Sequence, residues 1–277
     1  MRKETTEQTE KIPYQHLIKG DFPPWVHRFI KKTGKGVNDF SMIADGDKVL
    51  LGISGGKDSL ALAVALSLRR KWLPISYSLE ALHINWIEHP IPEKKIEQLH
   101  RFFDDLDIPL TSQNAHMFHS QYQDDFNCYI CSRNRRRILF DHAAAKGIRL
   151  IALGHHLDDL VETSMINLCF RADFSTMHPV QEIFKRSIYV IRPMIQVREQ
   201  VTSRLAQQYD LPVVKPVCPY DQTNIRSRVK PIIRELSRID KLTREHMYKA
   251  HEFSCRIPRY ETPHHTGLRE PDLQEKA

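Results

Sequence analysis

Lys48-Val49-Leu50-Leu51-Gly52-Ile53-Ser54-Gly55-Gly56-Lys57-Asp58-Ser59 is the stretch that decides the fold of this 277-residue chain. Its first half is an apolar run, which predicts a buried strand. The residues that follow, Leu60–Leu68, are mostly apolar helix formers and predict a helix packed on a sheet. The glycine-rich turn between them brings backbone N–H groups and a helix N-terminus to one place, where an anion can bind. The stretch therefore predicts a strand, a phosphate-binding loop at residues 54–59 and a helix.

The residues of the loop suit phosphate oxygens. Gly55 and Gly56 can adopt positive φ and have no Cβ, so the chain can close around a ligand. Ser54 and Ser59 add hydroxyl donors, and Lys57 adds a positive charge. The loop lacks the longer spacing of the Walker P-loop, which disfavours an ordinary phosphoryl-transfer NTPase. The alternative is a turn that merely contains two glycines.

Length and composition predict a soluble globular protein. The chain can bury a full core, and its length allows one large domain with additions. Mean hydropathy is −0.47, and the sequence has no apolar run of about 18 residues. The first seven residues lack the apolar segment of a signal peptide. We therefore expect a cytoplasmic protein.

Charge and cysteine content narrow the class of partner and cofactor. The net charge of +7 favours a polyanionic partner such as nucleic acid. Five cysteines are an odd number in a reducing compartment, so metal or redox use is favoured over a disulfide framework.

Strand and helix patterns alternate along the chain and predict an α/β fold, with a mainly parallel sheet covered by helices on both faces. The predicted strands cover residues 49–53, 76–86, 148–153 and 188–191, with another beginning at Ile108. The predicted helices cover residues 22–30, 38–44, 60–68, 93–106, 131–146, 158–170, 196–209 and 224–239. Residues 1–20 are expected to form a flexible arm, 21–240 the α/β domain with a helical lead-in, and 241–277 a C-terminal helix and irregular tail. Ligands of such sheets bind at the carboxyl ends of the strands.

A second motif, Leu153-Gly154-His155-His156-Leu157-Asp158-Asp159, also follows a predicted strand and opens a helix. Its aspartates would suit the helix dipole as caps. The functional interpretation is that Asp159 and Asp58 hold Mg²⁺ against a triphosphate with hard oxygen ligands. Adjacent residues of an extended turn point opposite ways. This argues against a metal site on the two histidines. Gly154 and His155 are the nucleotide-binding candidates of this turn, although the sequence leaves open which of His155 and His156 faces the nucleotide.

The cysteines suggest a metal centre. Cys128 and Cys131 form a Cys-x-x-Cys pair at the start of a basic helix, and Cys218 lies much later. The pair alone could be a zinc half-site, a redox pair or chance. Three thiolates without a fourth would suit an iron–sulfur cluster with one open iron, where an exogenous sulfur could bind. Cys169 is expected to be a buried thiol, and Cys255 is left unassigned.

Two groups of arginines lie next to these cysteines. Such charge runs are often solvated faces, but their position favours phosphate contacts that bring RNA to a sulfur centre. The RNA-binding candidates are Arg133, Arg135, Arg136, Arg137, Arg226 and Arg228.

The motifs together resemble a known family. Residues 54–59 match the Ser-Gly-Gly-x-Asp-Ser signature of the PP-loop (N-type) ATP pyrophosphatases, which have a HUP-like, Rossmann-like fold. Residues 154–163 resemble the second motif of the tRNA-modifying members. With Cys-x-x-Cys-Ser-Arg-x-Arg-Arg, Met177-His178-Pro179 and Ile191-Arg192-Pro193, the chain resembles the tRNA 2-thiocytidine synthetase (TtcA) family over most of residues 25–240.

The resemblance implies ATP-dependent thiolation of tRNA. Cytidine at position 32 would become 2-thiocytidine through an adenylated base, with Lys57, Asp58 and Asp159 as catalytic residues and residues 54–59 on the nucleotide. It implies a 4Fe-4S cluster on Cys128, Cys131 and Cys218, where three ligands would leave one iron open. The partners would be tRNA and a sulfur donor such as a cysteine desulfurase, with no membrane; a homodimer is left open.

The sequence leaves three other functions open. A thiolase acting on uridine or a small molecule uses the same chemistry, although residues 1–20 and 256–277 carry no cysteine for a terminal zinc module. A lysidine-synthetase-like ligase would use an amine and leave the three cysteines unexplained. The last is a non-catalytic, metal-bearing RNA-binding protein.

Overall fold

One six-stranded sheet organises the fold of this computed structural model, which describes residues 11–118, 128–184, 187–214 and 225–254. The strands run in the order β3-β2-β1-β4-β6-β5. Neighbours are parallel except β5, which pairs antiparallel with β6. Their bounds are β1 Lys48–Ile53, β2 Ser78–Trp86, β3 Leu110–Ala115, β4 Leu150–Leu153, β5 Val180–Ile183 and β6 Ile188–Ile191.

Helices cover both faces of the sheet, which confirms the predicted fold class. One face buries a large apolar cluster under α2, α3, α4 and α7, and the other packs a smaller cluster against α5. A third cluster joins α6 to α8 and α9. The helices are α1 Gln15–Lys19, α2 Pro24–Asp39, α3 Lys57–Arg70, α4 Glu93–Asp105, α5 Cys128–Ala145, α6 Leu157–Arg171, α7 Glu199–Gln208, α8 Ile225–Ile239 and α9 Thr243–Ser254.

The sheet places two turns side by side at its centre. Strand β1 lies between β2 and β4, and the strand order changes direction there. In an open α/β sheet this switch point forms the ligand crevice at the carboxyl ends of the strands. The turns after Ile53 and Leu153 both lie at that crevice.

The predicted helix at residues 38–44 is wrong. Helix α2 instead runs through Gly34 to Asp39, and the chain then turns with Ser41 at φ 47°. A glycine inside a helix usually weakens it. At Gly34 a Cβ would overlap the Arg69 guanidinium, 1.7 Å from Nη1, so the missing side chain makes room for a packed arginine.

Two further elements were missed. Strand β5 is short and polar in part, so the sequence did not reveal the antiparallel hairpin it forms with β6. Helix α1 falls in the expected flexible arm, yet Leu17 is fully buried in the main core. In the described part of the chain, no helix has both the length and the apolar character needed to span a membrane.

We predict that Leu17→Ala lowers the free energy of unfolding by about 2–5 kcal/mol, because it removes a buried side chain and leaves a cavity. Lys19→Ala is the matched control, since Lys19 is exposed on the same helix. Urea denaturation of both variants measures the difference. A change below about 0.5 kcal/mol for Leu17→Ala, the range of surface substitutions, would show that α1 does not stabilise the domain.

Candidate active site

The loop at residues 54–59 is closed by its own hydrogen bonds. The Gly56 N–H donates to Ser54 Oγ at 3.2 Å, and Ser59 Oγ donates to the Gly56 carbonyl at 2.8 Å. Gly55 has φ 78°, and a Cβ there would lie 2.2 Å from the Val214 carbonyl oxygen. The Val214 N–H in turn donates to the Gly55 carbonyl at 2.8 Å. Gly55 is therefore required both by its backbone conformation and by the close approach of residue 214.

The second turn packs directly on the first. A Cβ on Gly154 would lie 3.0 Å from the backbone of Asp58 and Ser59. His155 lines the cavity between the turns, and its Nδ1 is buried without a hydrogen-bond partner. Burial, with the nearby Arg192 charge, lowers the pKa of His155 to about 4, so its ring is neutral at pH 7.

His156 has a different role from His155. It is the N-cap of α6: its Nδ1 accepts from the Asp159 N–H at 3.3 Å, while Asp159 Oδ2 accepts from the His156 N–H at 3.0 Å. This reciprocal pair is a capping box. The Nε2 of the buried His156 ring lies 3.8 Å from Asp58 Oδ1. Of the two adjacent histidines, the structure places His155 on the cavity.

Asp158 and Asp159 also have different roles. Asp158 is buried and accepts from the Glu199 N–H and from Arg244 Nε, both at 2.6 Å, so it fastens α7 and α9 to α6. Asp159 lines the cavity instead.

Lys57 lies between two carboxylates. Its Nζ donates to Asp58 Oδ2 at 2.8 Å and to Glu199 Oε1 at 3.1 Å. Burial opposes its charge, but the hydrogen bond to Asp58 and the charges of Asp58 and Glu199 outweigh that effect and raise the pKa of Lys57. Thr202 Oγ1 donates to Asp58 Oδ1 at 2.5 Å, which fixes the carboxylate further.

Two cations of α8 extend this network to the second motif. Lys230 Nζ lies 2.5 Å from Glu199 Oε2, and Arg226 Nη1 lies 3.2 Å from Asp159 Oδ1. Between them, the buried Glu162 lies 3.6 Å from Arg226 Nε and 4.0 Å from Lys230 Nζ. Opposite charges therefore alternate from the loop at Asp58 to Asp159.

A cavity of 1280 Å³ joins the turns after β1 and β4 to the arginines of α5. One end is formed by the loop after β1 and the turn after β4. The other wall is the first half of α5, and the far end is the β5–β6 hairpin. Its lining includes Ser54, Asp58, Ser59, Gly154, His155, Asp159, Arg133, Arg135, Arg136, Arg137, Arg192 and Arg226.

The structure describes only some of the cysteines for which the sequence made predictions. Cys131 is half-buried in α5, one turn after Cys128 begins that helix. The structure does not describe the side chain of Cys128, and Cys218 and Cys255 lie wholly outside the described residues. The set of three thiolate ligands therefore stays a prediction. The expected burial of Cys169 is wrong, because its position on the last turns of α6 is exposed.

The arginines predicted to bind RNA fall into two groups. Arg133, Arg136, Arg137 and Arg228 are exposed, and the half-buried Arg135 guanidinium lies 5.6 Å from the centre of the Trp86 ring. Arg226 lines the cavity and pairs with Asp159 and Glu162. Its RNA-binding role stays a prediction, like that of the other arginines.

Four residues of the site were missed at the sequence level. Glu199, Thr202 and Lys230 lie on α7 and α8 and carry no local motif, so only the packing of these helices on α3 and α6 reveals them. Arg192 had a signal, because it directly follows the buried strand β6, but no role was given to it.

A divalent cation fits the oxygen donors in part. Asp58 and Asp159 supply hard carboxylate oxygens on one cavity, yet each already accepts from a cation, Lys57 or Arg226. Among the described side chains, no group of three or more metal-binding residues forms a complete cage. Mg²⁺ usually takes only one or two carboxylates and completes its shell with substrate phosphates and water.

The fold and the site define a PP-loop protein. The PP-loop domain family matches residues 26–236, and the chain belongs to that family. Within it, the chain belongs to the tRNA-cytidine(32) 2-sulfurtransferase family. It is 34% identical to the member from Herminiimonas arsenicoxydans over 83% of this chain and 71% of that protein. It is 32% identical to the member from a Polaromonas species over 89% of this chain and 80% of that protein.

A solved structure shares the fold. The U34-tRNA thiolase NcsA from Methanococcus maripaludis, solved with its [4Fe-4S] cluster, superposes with a TM-score of 0.63 at 24% identity. The match covers 82% of this chain and 78% of the thiolase.

We predict that Gly55→Ala lowers the free energy of unfolding more than Gly46→Ala does. Both glycines have positive φ, 78° and 80°, so both variants carry the same backbone strain. Only at Gly55 does the added Cβ meet backbone, the carbonyl of Val214, whereas Gly46 has open space. Urea denaturation of the two variants measures the clash, and equal losses would show that residue 214 moves away freely.

We predict that Glu199 makes stability depend on acid pH. Burial opposes its charge, but the hydrogen bond from Lys230 and the charge of Lys57 outweigh it and lower the pKa of Glu199 from 4.5 to about 2. Between these values the unfolded chain binds a proton that the folded chain does not. Stability is therefore fully present above pH 4.5 and falls by about 3 kcal/mol as the pH approaches 2.

Denaturation of wild type and Glu199→Gln at a series of pH values from 6 down to about 3 checks this slope. The variant should lose less stability on acidification than wild type. Glu235→Gln, at an exposed position of α8, is the control and should keep the wild-type slope. Identical slopes for wild type and Glu199→Gln would contradict the assignment.

Proposed function

We propose that this chain is an ATP-dependent tRNA sulfurtransferase that converts cytidine, at position 32 of the anticodon loop, to 2-thiocytidine. The observation that carries the proposal is the single cavity of 1280 Å³ that joins the PP loop, Asp159 and the arginines of α5. Nucleotide activation and RNA binding can therefore occur in one cavity. The membership of the chain in the tRNA-cytidine(32) 2-sulfurtransferase family supports the same reaction.

Activation of the base uses the PP-loop end of the cavity. The backbone N–H groups of the loop, the N-terminus of α3 and Lys57 face the phosphates of ATP. Oxygen 2 of the cytidine attacks the α-phosphate, which forms an adenylated base and releases pyrophosphate. His155 stays neutral beside the reacting groups because its pKa is about 4, so it can accept a hydrogen bond but does not add charge.

Mg²⁺, where bound, would be held by Asp58 and Asp159 and would neutralise triphosphate charge. A triphosphate competes for the two cations now paired with these carboxylates, since phosphate is the stronger acceptor for Lys57 and Arg226. We therefore expect bound nucleotide to favour the binding of Mg²⁺, and bound Mg²⁺ to favour the binding of nucleotide.

Sulfur insertion needs a second centre. Cys128, Cys131 and Cys218 would hold the 4Fe-4S cluster, which when bound supplies iron that binds sulfide. Cys131 and the exposed arginines of α5 support this, because thiolates next to cations are favoured as ligands. AMP leaves carbon 2 as sulfur bonds to it. We place the enzyme in the cytoplasm; the cysteine desulfurase donor and the homodimer stay predictions.

We predict that Cys131→Ala loses iron, acid-labile sulfide and thiolation of tRNA, while its affinity for ATP stays within about two-fold of wild type. The reason is that activation uses the PP-loop residues 54–59, whereas sulfur delivery uses the proposed cysteine ligands. Visible absorption and metal analysis of protein purified without oxygen, nucleotide binding and product analysis by mass spectrometry give the three readouts. Cys169→Ala, at an exposed cysteine away from the lining of the cavity, is the matched control.

Unchanged thiolation in Cys131→Ala would contradict the proposed ligand set. A colourless wild type that holds zinc and forms no AMP would favour a binding protein. AMP formation followed by amine transfer would favour a lysidine-synthetase-like ligase. A thiolated uridine in the product digest would show that the target base is uridine and not cytidine, and it would be consistent with the same mechanism.

A further inference from the structure

Lys57 and Asp58 are neighbours of opposite charge at the start of α3. The Lys57 ammonium donates to both oxygens of the Asp58 carboxylate, at 3.0 Å and 2.8 Å. A positive charge at this distance opposes the approach of a second cation to the same carboxylate. The proposed function needs Lys57 on the phosphates and Asp58 on Mg²⁺. The two side chains must therefore be drawn apart when the ligands bind.

The first turn of α7 offers a separate partner to each of the two. Thr202 Oγ1 lies 2.5 Å from Asp58 Oδ1, and Glu199 Oε1 lies 3.1 Å from Lys57 Nζ. Thr202 and Glu199 are three positions apart in the helix, so they project from the same face. One turn of α7 thus places a donor beside Asp58 and an acceptor beside Lys57, and both contacts compete with the contact between Lys57 and Asp58.

The hydroxyl proton of Thr202 has two acceptors within reach. Its Oγ1 lies 2.5 Å from Asp58 Oδ1 and 2.9 Å from the Glu199 carbonyl oxygen. Bonding to a carbonyl of the preceding turn is common for threonines in helices. A hydroxyl has only one proton to donate, however, and a carboxylate forms the stronger and shorter bond. The geometry therefore favours donation to Asp58.

A hydroxyl orients the Asp58 carboxylate without cancelling its charge. Thr202 and Lys57 both donate to this carboxylate, but only Lys57 brings a positive charge. Asp58 lines the cavity and keeps 28% of its side chain exposed. A carboxylate has about four lone-pair sites, so a ligand in the cavity can bind while the hydroxyl bond is kept.

The first turn of α7 is itself fixed by three other helices. The Asp158 carboxylate of α6 accepts from the Glu199 N–H and from Arg244 Nε of α9, both at 2.6 Å. Lys230 of α8 lies 2.5 Å from Glu199 Oε2, while Oε1 faces Lys57. Partners held in this way before a ligand arrives can orient the residues that bind it.

We propose that Thr202 is a positioning residue for Asp58: its hydroxyl holds the carboxylate in place for Mg²⁺, while Glu199 supplies the acceptor to which Lys57 turns. This inference rests on the proposed function, in which Asp58 and Mg²⁺ bind the triphosphate. Neither Thr202 nor Glu199 lines the cavity, so both act through the two loop residues.

The test measures binding of α,β-methylene-ATP, which cannot release pyrophosphate, to the full chain by calorimetry at a series of Mg²⁺ concentrations. Thr202→Val keeps the shape and removes the hydroxyl. It should raise the Mg²⁺ concentration for half-maximal binding about ten-fold, the size of effect expected from one hydrogen bond to a charged group. Affinity for the analogue without Mg²⁺ should stay within about two-fold of wild type. Thr202→Ser keeps the hydroxyl and should restore the wild-type Mg²⁺ dependence.

Thr33→Val is the matched control. Thr33 is also fully buried in a helix, and its hydroxyl donates to the Phe29 carbonyl at 3.1 Å, with a backbone acceptor in place of a carboxylate. This variant should keep the wild-type Mg²⁺ dependence. The positioning role would be overturned by an unchanged Mg²⁺ dependence in Thr202→Val, by an equal shift in Thr33→Val, or by a Thr202→Ser variant that behaves like Thr202→Val.

Two double variants test whether each residue acts through its partner in the loop. At the Mg²⁺ concentration that half-saturates wild type, Asp58→Asn should weaken binding, and addition of Thr202→Val should weaken it no further. Glu199→Gln should raise the Mg²⁺ requirement, because Lys57 then turns to Asp58, and this effect should be absent when Lys57→Met is also present. Effects that add in full in either pair would overturn the role of that α7 residue.

The wild type separates this inference from the proposed function. Wild-type binding of the analogue that does not depend on Mg²⁺ would overturn the metal role of Asp58, and the positioning role with it. Mg²⁺-dependent binding in wild type, together with an unaffected Thr202→Val variant, would overturn the positioning role alone.

Discussion

The contact between the turns after β1 and β4 is the constraint on which the active site depends. Parallel neighbours in the sheet bring Gly52 opposite Leu153, so the next residues of both strands leave the sheet side by side. Gly154 then packs tightly on the backbone of Asp58 and Ser59, where an added Cβ would lie only 3.0 Å away. This contact keeps Asp58 on α3 and Asp159 on α6 beside the same cavity, although they are 101 positions apart in the sequence.

Charges hold the helices around this contact. Glu199 on α7 meets Lys57 on α3 and Lys230 on α8. Asp159 on α6 meets Arg226 on α8. Buried charges are tolerated only when they are paired, so the network specifies how α7 and α8 dock on α3 and α6. The same pairs present cations where a triphosphate would bind. Docking of α8 and binding of nucleotide therefore use one set of charges.

The sequence by itself determined the local elements of this protein. The run from Lys48 to Ser59 predicted strand, loop and helix, because apolar periodicity and glycine act over a few residues. The sequence also determined the family, because each family motif is a short run of consecutive residues. It did not reveal that Glu199, Thr202, Lys230 and Arg192 belong to the site. Those roles depend on which side chains meet across the sheet and between helices, and only tertiary packing decides contacts between residues far apart in the chain.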